Sequence, residues 1–163
     1  MSQSAPDVHG LAEQLADGGV AFGTDNPANV PLRGDLEAAV ADVAPTATGR
    51  TGVIILEQTG QPAGQLRDLA QDTQALTDLD TVIVRTPAST AAVSDTLTRA
   101  QVERGQYALI SEPDYAAGIR AFGAEADGFS VPWGLVAGAL IVLIGVAVVA
   151  SAATFRAGVK DSD

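Results

Sequence analysis

A charge-free stretch near the end of the printed chain sets the strongest limit on its structure. No charged side chain occurs between Val131 and Phe155. The 23 residues from Trp133 to Phe155 would form a helix of about 34 Å, enough to cross a hydrocarbon core of about 30 Å with some tilt. A buried core helix of this length normally carries some charge. The sequence therefore predicts a transmembrane helix over residues 131–155.

The residues in and around this stretch are typical of a membrane anchor. Aromatic rings stand at both ends, where they mark the membrane interface, and basic residues follow the span. Small residues recur within it as G-x-x-x-G and at seven-residue spacing, which predicts helix–helix self-association in the membrane, although a Gly- and Ala-rich span also contains such spacings by chance. The predicted anchor residues are Trp133, Gly134, Gly138, Gly145, Phe155, Arg156 and Lys160.

The charges beside the span indicate its orientation. Arg156 and Lys160 lie in the short tail that follows, whereas on the other side Arg120 is offset by Glu125 and Asp127. Because positive residues favour the cytoplasmic side, we expect a cytoplasmic tail and an extracytoplasmic N-terminal domain. A tail-anchored protein with its domain in the cytosol is the alternative.

The composition of residues 1–130 argues against most enzymes and against nucleic-acid binding. This part holds 18 of the 20 acidic and seven of the nine basic side chains, and so the whole net charge of −11. It has no Cys and a single imidazole, His9, so neither a Cys–His pair nor a typical zinc site can form. Its charge would repel nucleic acid and anionic lipid headgroups. We expect no catalytic activity, no cofactor and no nucleic-acid partner.

Two motifs are weak candidates for a bound ligand. Asp78 and Asp80 precede a predicted strand, and a divalent ion could in principle bind there with backbone oxygens, but a polar turn before the strand is the favoured explanation. The stretch GQPAGQ lacks the lysine that completes a phosphate-binding loop. Asp78 and Asp80 are therefore the only metal candidates that the sequence offers.

Periodicity predicts an α/β domain in the first part of the chain. Apolar runs bounded by glycine or proline indicate buried strands, and apolar residues three or four apart indicate helices. Two strands separated by a helix predict parallel neighbours joined by a right-handed crossover. The elements are a helix over 10–19 stopped by Gly18 and Gly19, a helix with Leu32, Leu36, Val40 and Val43, a strand Val53–Leu56, a helix with Leu66, Leu69, Thr73 and Leu76, and a strand Val82–Val84.

The pattern after Pro87 is weaker but continues the alternation. A helix should begin at Ser89 or Thr90, and another should follow Pro113, with a third strand between them. These elements are a helix through Val93, Leu97 and Ala100, a weak strand QYALI at 106–110, and a helix that buries Tyr115, Ile119 and Phe122. The predicted boundaries are a flexible N-terminus 1–8, a domain 9–122 with a small, mostly parallel sheet flanked by helices, a polar linker 123–130, the transmembrane helix 131–155 and a tail 156–163.

The order of LRGDLEAAVADVA, TGVIILEQ, QLRDLAQDTQAL and DTVIVRTP, followed by a helix and VPWGLVAG, resembles a known family. It is similar to small single-pass membrane proteins of mycolic-acid actinobacteria that have a TPM-like α/β domain. The resemblance covers roughly residues 8–158. It implies an extracytoplasmic domain and a link to NlpC/P60 peptidoglycan endopeptidases, which separate daughter cells. Some TPM-type domains bind metal or act as phosphatases, but their full acidic signature is not matched here.

Three classes of function follow. The first is a non-enzymatic membrane-anchored adaptor or regulator that binds an NlpC/P60 endopeptidase during cell separation at the septum. The second is a tail-anchored cytosolic scaffold of envelope or division machinery, and the third is a metal-dependent membrane phosphatase that uses Asp78 and Asp80. The missing catalytic residues disfavour the phosphatase, and the charge bias favours the adaptor over the scaffold.

Overall fold

The computed structural model describes residues 6–128 together with residues 141, 142 and 144. The chain divides into two units, residues 1–129 and 130–163, and the first contains the sheet. Its elements are α1 Val8–Gly18, β1 Val20–Phe22, α2 Asn29–Val43, β2 Thr51–Ile55, α3 Ala63–Gln74, β3 Thr81–Arg85, β4 Thr90–Ser94, α4 Arg99–Ser111 and α5 Tyr115–Gly128.

The two central strands are buried on both faces. Every residue of β2 and β3 is buried, and the strands pair in parallel with Val53 opposite Ile83. β1 lies parallel to β2 on one side, and β4 lies antiparallel to β3 on the other. The predicted α/β class with a mostly parallel sheet is confirmed, as are both strands and their parallel pairing.

Helices cover both faces of the sheet because its apolar side chains alternate between them. One layer packs α1 and α3 against one face, with a core of Leu11, Leu15, Ala21, Ile54, Leu56, Leu66, Leu69, Ala70, Val82, Val84 and Ala91. The other layer packs α2, α4 and α5 against the opposite face, with Phe122 and Leu36 among its fully buried side chains. The predicted helices α1, α2, α3 and α5 are confirmed, and α1 ends where the sequence indicates, at Gly19 with φ 73°. Two residues expected on their apolar faces are not buried: Leu32 on α2 is 41% exposed, and Leu76 lies beyond the end of α3 and is 49% exposed.

Two predicted elements between Pro87 and Ser111 are wrong. Where a helix was expected, the chain reverses into β4, because the Thr86 hydroxyl accepts hydrogen bonds from the backbone N–H groups of Ala88 and Ser89. Where the strand QYALI was expected, α4 continues. α4 begins at a capping box in which Thr98 and Gln101 each accept a backbone hydrogen bond from the other.

The predicted boundaries differ from the structure at both ends of the domain. Helix α5 runs through Gly128, so residues 123–128 are helical rather than a linker. Ala126 is fully buried, and a Cβ at Gly123 would lie 2.5 Å from Val43 Cγ1, so this turn of α5 packs tightly on α2. Val8 already belongs to α1, whereas residues 1–5 lie outside the described residues.

The predicted transmembrane helix lies largely outside the described residues. Of its 25 positions, only Ile141, Val142 and Ile144 are described; all three are helical and exposed. Among the described residues, no helix combines the length and apolarity needed to cross a bilayer. The span, its anchor residues Trp133, Gly134, Gly138, Gly145, Phe155, Arg156 and Lys160, and its orientation therefore stay predictions.

Truncation of a central strand should strongly destabilise the domain. Ile83 is fully buried in β3, so Ile83→Ala should lower the free energy of unfolding by about 2–5 kcal/mol, through lost burial and the cavity left behind. The matched control is Val30→Ala on α2, where 75% of the side chain is exposed; it should change stability by no more than about 0.5 kcal/mol. Guanidinium unfolding followed by circular dichroism measures both. Equal losses of unfolding free energy in the two variants would contradict the burial of β3.

Candidate protein-binding groove

The predicted metal candidates Asp78 and Asp80 have different roles in the structure. Asp78 is exposed in the turn before β3. The Asp80 carboxylate instead accepts a hydrogen bond from the backbone N–H of Arg50 at 2.8 Å and lies 3.5 Å from the Arg50 side chain. A Cβ at Gly49, which has φ 64°, would lie 2.7 Å from the same carboxylate oxygen. Asp80 therefore joins the turns that precede β2 and β3.

The described part of the chain contains no cluster of side chains that could bind a metal ion. No group of three or more His, Cys, Asp or Glu side chains that could hold a metal ion occurs there. His9 is exposed on α1.

The carboxyl ends of the parallel strands, where α/β proteins commonly bind ligands, carry a small polar cluster. The Thr24 hydroxyl donates to Glu57 Oε1 at 2.7 Å, and Asn29 Nδ2 donates to the Thr24 carbonyl at 3.0 Å. Hydrogen bonds from Thr24, then Asn26 and Asn29, lower the pKa of the exposed Glu57 carboxyl below its usual 4.5. These contacts tie the loop after β1 to the loop after β2.

Arg85, at the end of β3, is a buried cation that joins the sheet to the connection between α4 and α5. Its guanidinium donates to the carbonyls of Leu109 and Glu112 and stacks 4.6 Å from the Tyr115 ring centroid. Burial lowers the pKa of Arg85, while Tyr115, Asp114 and Glu112 act in the opposite direction. Because α4 ends there, the positive charge also complements the negative end of its dipole. Arg85 thus fixes α4 and α5 against the sheet.

Helices α4 and α5 together form an apolar groove on the domain surface. Tyr107, with 77% of its surface exposed, and three alanines line a groove of about 650 Å³. Close packing between the helices keeps this surface shallow and continuous: a Cβ at Gly105 would lie 2.7 Å from the Phe122 ring. The residues that line the groove are Ala100, Glu103, Arg104, Tyr107, Ala108, Ser111, Glu112, Ala121 and Glu125.

Acidic residues outnumber basic residues in the lining of this groove. Three carboxylates and one guanidinium lie among its lining residues. Glu125 pairs with Arg104 at 3.4 Å, and Glu103 pairs with Arg99 at 2.7 Å. An exposed tyrosine beside three alanines, with charged residues in the same groove, resembles the composition of a protein-binding site.

Sequence reasoning did not find the groove, because it assigned residues 106–110 to a strand. The signal was nevertheless present. Thr98 and Gln101 form the capping-box spacing that begins a helix, and on that helix Ala100, Arg104, Tyr107, Ala108 and Ser111 recur at intervals of three or four.

Fold and groove together define a small α/β domain that has a surface suited to another protein and, in the described residues, no clustered metal ligands. The chain belongs to an actinobacterial family of membrane proteins, described as membrane protein Rv1476, whose model matches residues 3–162. No curated protein matches it. The N-terminal domain of the cg2496 protein from Corynebacterium glutamicum, solved by NMR, is similar at 14% identity over 80% of this chain and 86% of that one, with a TM-score of 0.49.

Alanine substitution should distinguish a turn from a metal site at Asp78 and Asp80. Asp80→Ala leaves the Arg50 N–H unpaired and should cost about 1–3 kcal/mol of unfolding free energy. Asp78→Ala removes an exposed side chain and should cost no more than about 0.5 kcal/mol. Thermal unfolding with and without Ca²⁺, Mg²⁺ or Mn²⁺, together with a phosphomonoester hydrolysis assay, checks both. Metal-dependent stabilisation or turnover that both substitutions abolish would contradict the structural role.

Proposed function

We propose that this protein is a non-enzymatic, membrane-anchored adaptor or regulator that binds a peptidoglycan endopeptidase of the NlpC/P60 type during cell separation at the septum. In this proposal a single helix over residues 131–155 holds a TPM-like domain on the extracytoplasmic side. Membership of a membrane protein family supports the anchoring. The partner class rests on the resemblance of the sequence to membrane proteins linked to such enzymes.

The observation that carries the proposal is the exposed tyrosine in the α4–α5 groove. Tyr107 presents a large, rigid side chain to solvent in a groove that is also lined by Ala108 and Ala121. Tyrosine is over-represented among the residues that dominate protein–protein binding energies, because it buries a large area at a small entropic cost. A partner with an apolar ridge would cover Tyr107 and the alanines.

Charge adds a preference for a basic partner. The domain carries the whole net charge of −11, and Glu103, Glu112 and Glu125 rim the groove. Such a field attracts a positively charged surface and speeds the encounter with it. Because exposed charges are screened beyond about 8 Å at physiological ionic strength, binding should weaken as salt rises.

Anchoring would strengthen a modest affinity. A domain held at the membrane meets a partner in the adjacent wall at a raised local concentration, so function needs less intrinsic affinity than free proteins require. A domain released from its anchor should therefore bind the same partner but support cell separation poorly.

Truncation of Tyr107 should weaken binding to the endopeptidase. We expect Tyr107→Ala in the full-length protein to raise the Kd for a purified NlpC/P60 endopeptidase from the same cell at least tenfold, about 1.4 kcal/mol. The matched control is Val30→Ala, an equally exposed apolar position on α2, which should change the Kd less than twofold. Interferometry at low and high salt measures the Kd of the wild type and of both variants. Undiminished binding by Tyr107→Ala would rule out the groove, and no binding by the wild type would refute the adaptor.

Reporter fusions should place the domain outside the cytoplasmic membrane. Alkaline phosphatase fused before Met1 should be active, because it folds outside the cytoplasm, and a fluorescent protein fused after Asp163 should fluoresce in the cytoplasm. The physical basis is the positive pair Arg156 and Lys160 beside a charge-free span. An inactive phosphatase, with engineered surface cysteines in the domain that react only after lysis, would instead favour the cytosolic scaffold.

A further inference from the structure

The outer edge of β4 presents unpaired backbone groups. β4 lies at one edge of the four-stranded sheet, and no other strand among the described residues extends the sheet beyond it. Along an antiparallel ladder, residues that bond the neighbouring strand alternate with residues whose backbone groups point outward. The Thr86 N–H donates to the Ser89 carbonyl, and the Asp95 N–H donates to the Asp80 carbonyl. These bonds at the two ends of the β3–β4 ladder fix which β4 residues face β3. The backbone N–H and C=O groups of Thr90, Ala92 and Ser94 therefore point away from β3.

Ala92 is the critical position on this edge. Only 3% of the residue is exposed, yet neither its backbone N–H nor its C=O has a hydrogen-bond partner within the part of the chain that the structure describes. Buried backbone groups are almost always paired, because an unpaired one loses its bonds to water without compensation. An unsatisfied donor and acceptor on one strand edge indicate a missing partner.

The opposite edge of the sheet shows how this chain closes an edge that takes no partner. On β1, the Gln14 carboxamide bonds both the N–H and the C=O of Phe22, at 3.1 and 3.3 Å. Arg33 donates to the Val20 carbonyl at 3.0 Å and also lies over the Phe22 ring. The side chains of α1 and α2 thus bond the Val20 carbonyl and both backbone groups of Phe22 on the outer edge of β1, and no side chain in residues 6–128 does so on β4.

The β4 edge forms the floor of a groove between two helices. Arg67 and Gln71 of α3 stand on one side and Gln106 of α4 on the other, with cavities of about 420 and 260 Å³ on either side of Ala92. Five strand residues span about 17 Å, enough for a short extended segment.

We propose that this edge binds an extended segment of another protein, which adds a fifth strand to the sheet beside β4. Main-chain hydrogen bonds to Thr90, Ala92 and Ser94 would supply the affinity, as in other strand-addition complexes. This surface shares only Glu103 with the α4–α5 groove, so the inference stands independently of the proposed function.

Charge selects the occupant. The cavity of about 420 Å³ is lined by Arg67 and Arg99 and also by Asp95 and Glu103, so its charges balance. In the cavity of about 260 Å³, Arg67 is the one charged residue among the lining residues, and it makes no ion pair with any described residue. The segment therefore carries a carboxylate side chain that pairs with Arg67 on the side of Ala92 where this smaller cavity lies.

Peptide selection on the full-length protein tests the proposal directly. The probe is a phage-displayed library of random 12-residue peptides, depleted on Ala92→Pro and then selected on the wild type in detergent. Proline removes the outward N–H and keeps the bonds to β3, and edge strands tolerate it. The control Ala92→Gly keeps the N–H. Selected peptides should contain Asp or Glu, bind the wild type and Ala92→Gly with Kd values within threefold, and bind Ala92→Pro at least tenfold more weakly.

Two further measurements keep the result interpretable. Arg67→Glu changes an exposed side chain, so it should leave the melting temperature unchanged and weaken the same peptides at least tenfold, even if Ala92→Pro fails to fold. Amide hydrogen exchange by NMR should show that Ala92 becomes protected when peptide binds. The proposal is overturned if no peptide survives depletion on a folded Ala92→Pro variant, if Arg67→Glu binds equally well, or if protection appears elsewhere.

Discussion

Burial of β2 and β3 on both faces is the constraint on which the rest of the domain depends. Val53, Ile54, Ile83 and Val84 are fully shielded from solvent, so the sheet needs a layer of helices on each side. A parallel pair also requires a crossover connection, and α3 supplies both the crossover and part of one layer. The remaining helices cover what α3 leaves exposed. The α4–α5 surface therefore exists because the second face of the sheet has to be covered.

The charged residues of the domain fall into two groups: those that join structural elements and those on the outer surface. Most arginines of the domain hold structure together: Arg85 joins β3 to the end of α4, Arg33 closes the edge of β1, and Arg120 pairs with Asp42 across α5 and α2 at 2.8 Å. With these cations engaged inside or between elements, the outer surface is left predominantly acidic. A surface of this kind favours basic partners, except beside the β4 edge, where Arg67 is the one charged residue that lines the smaller cavity.

The two edges of the sheet differ in whether side chains bond their outward backbone groups. β1 is closed by the side chains of Gln14 and Arg33, which imitate the hydrogen bonds of a neighbouring strand. β4 is flanked by helices that shelter its edge from bulk water, and within residues 6–128 the backbone groups of Ala92 have no partner. Open edges invite unwanted pairing unless they are protected. The position of this edge at the bottom of a groove limits which partners can reach it.

The sequence by itself determined the elements whose signals are local and strong. Val53–Leu56 and Val82–Val84 are continuous apolar runs that only a strand buried on both faces explains, and Gly18 and Gly19 ended α1 where the structure ends it. The predicted membrane span rests on the same kind of evidence. The sequence indicates Asp78 and Asp80 by residue type, but it does not show which carboxylate is exposed and which accepts a hydrogen bond from a backbone N–H.

Tertiary structure decided the elements whose local signals were ambiguous. β4 consists of small and β-branched residues that fit a helix as well as a strand, and its pairing with β3 depends on the Thr86 turn. β1 has three residues, too few for a periodic signal, and the sheet recruits it through β2. The α4–α5 groove and the unpaired edge at Ala92 arise from the juxtaposition of distant segments. These features are stabilised by packing between distant segments rather than by the conformational preference of single residues, so no pattern of neighbouring residues could reveal them.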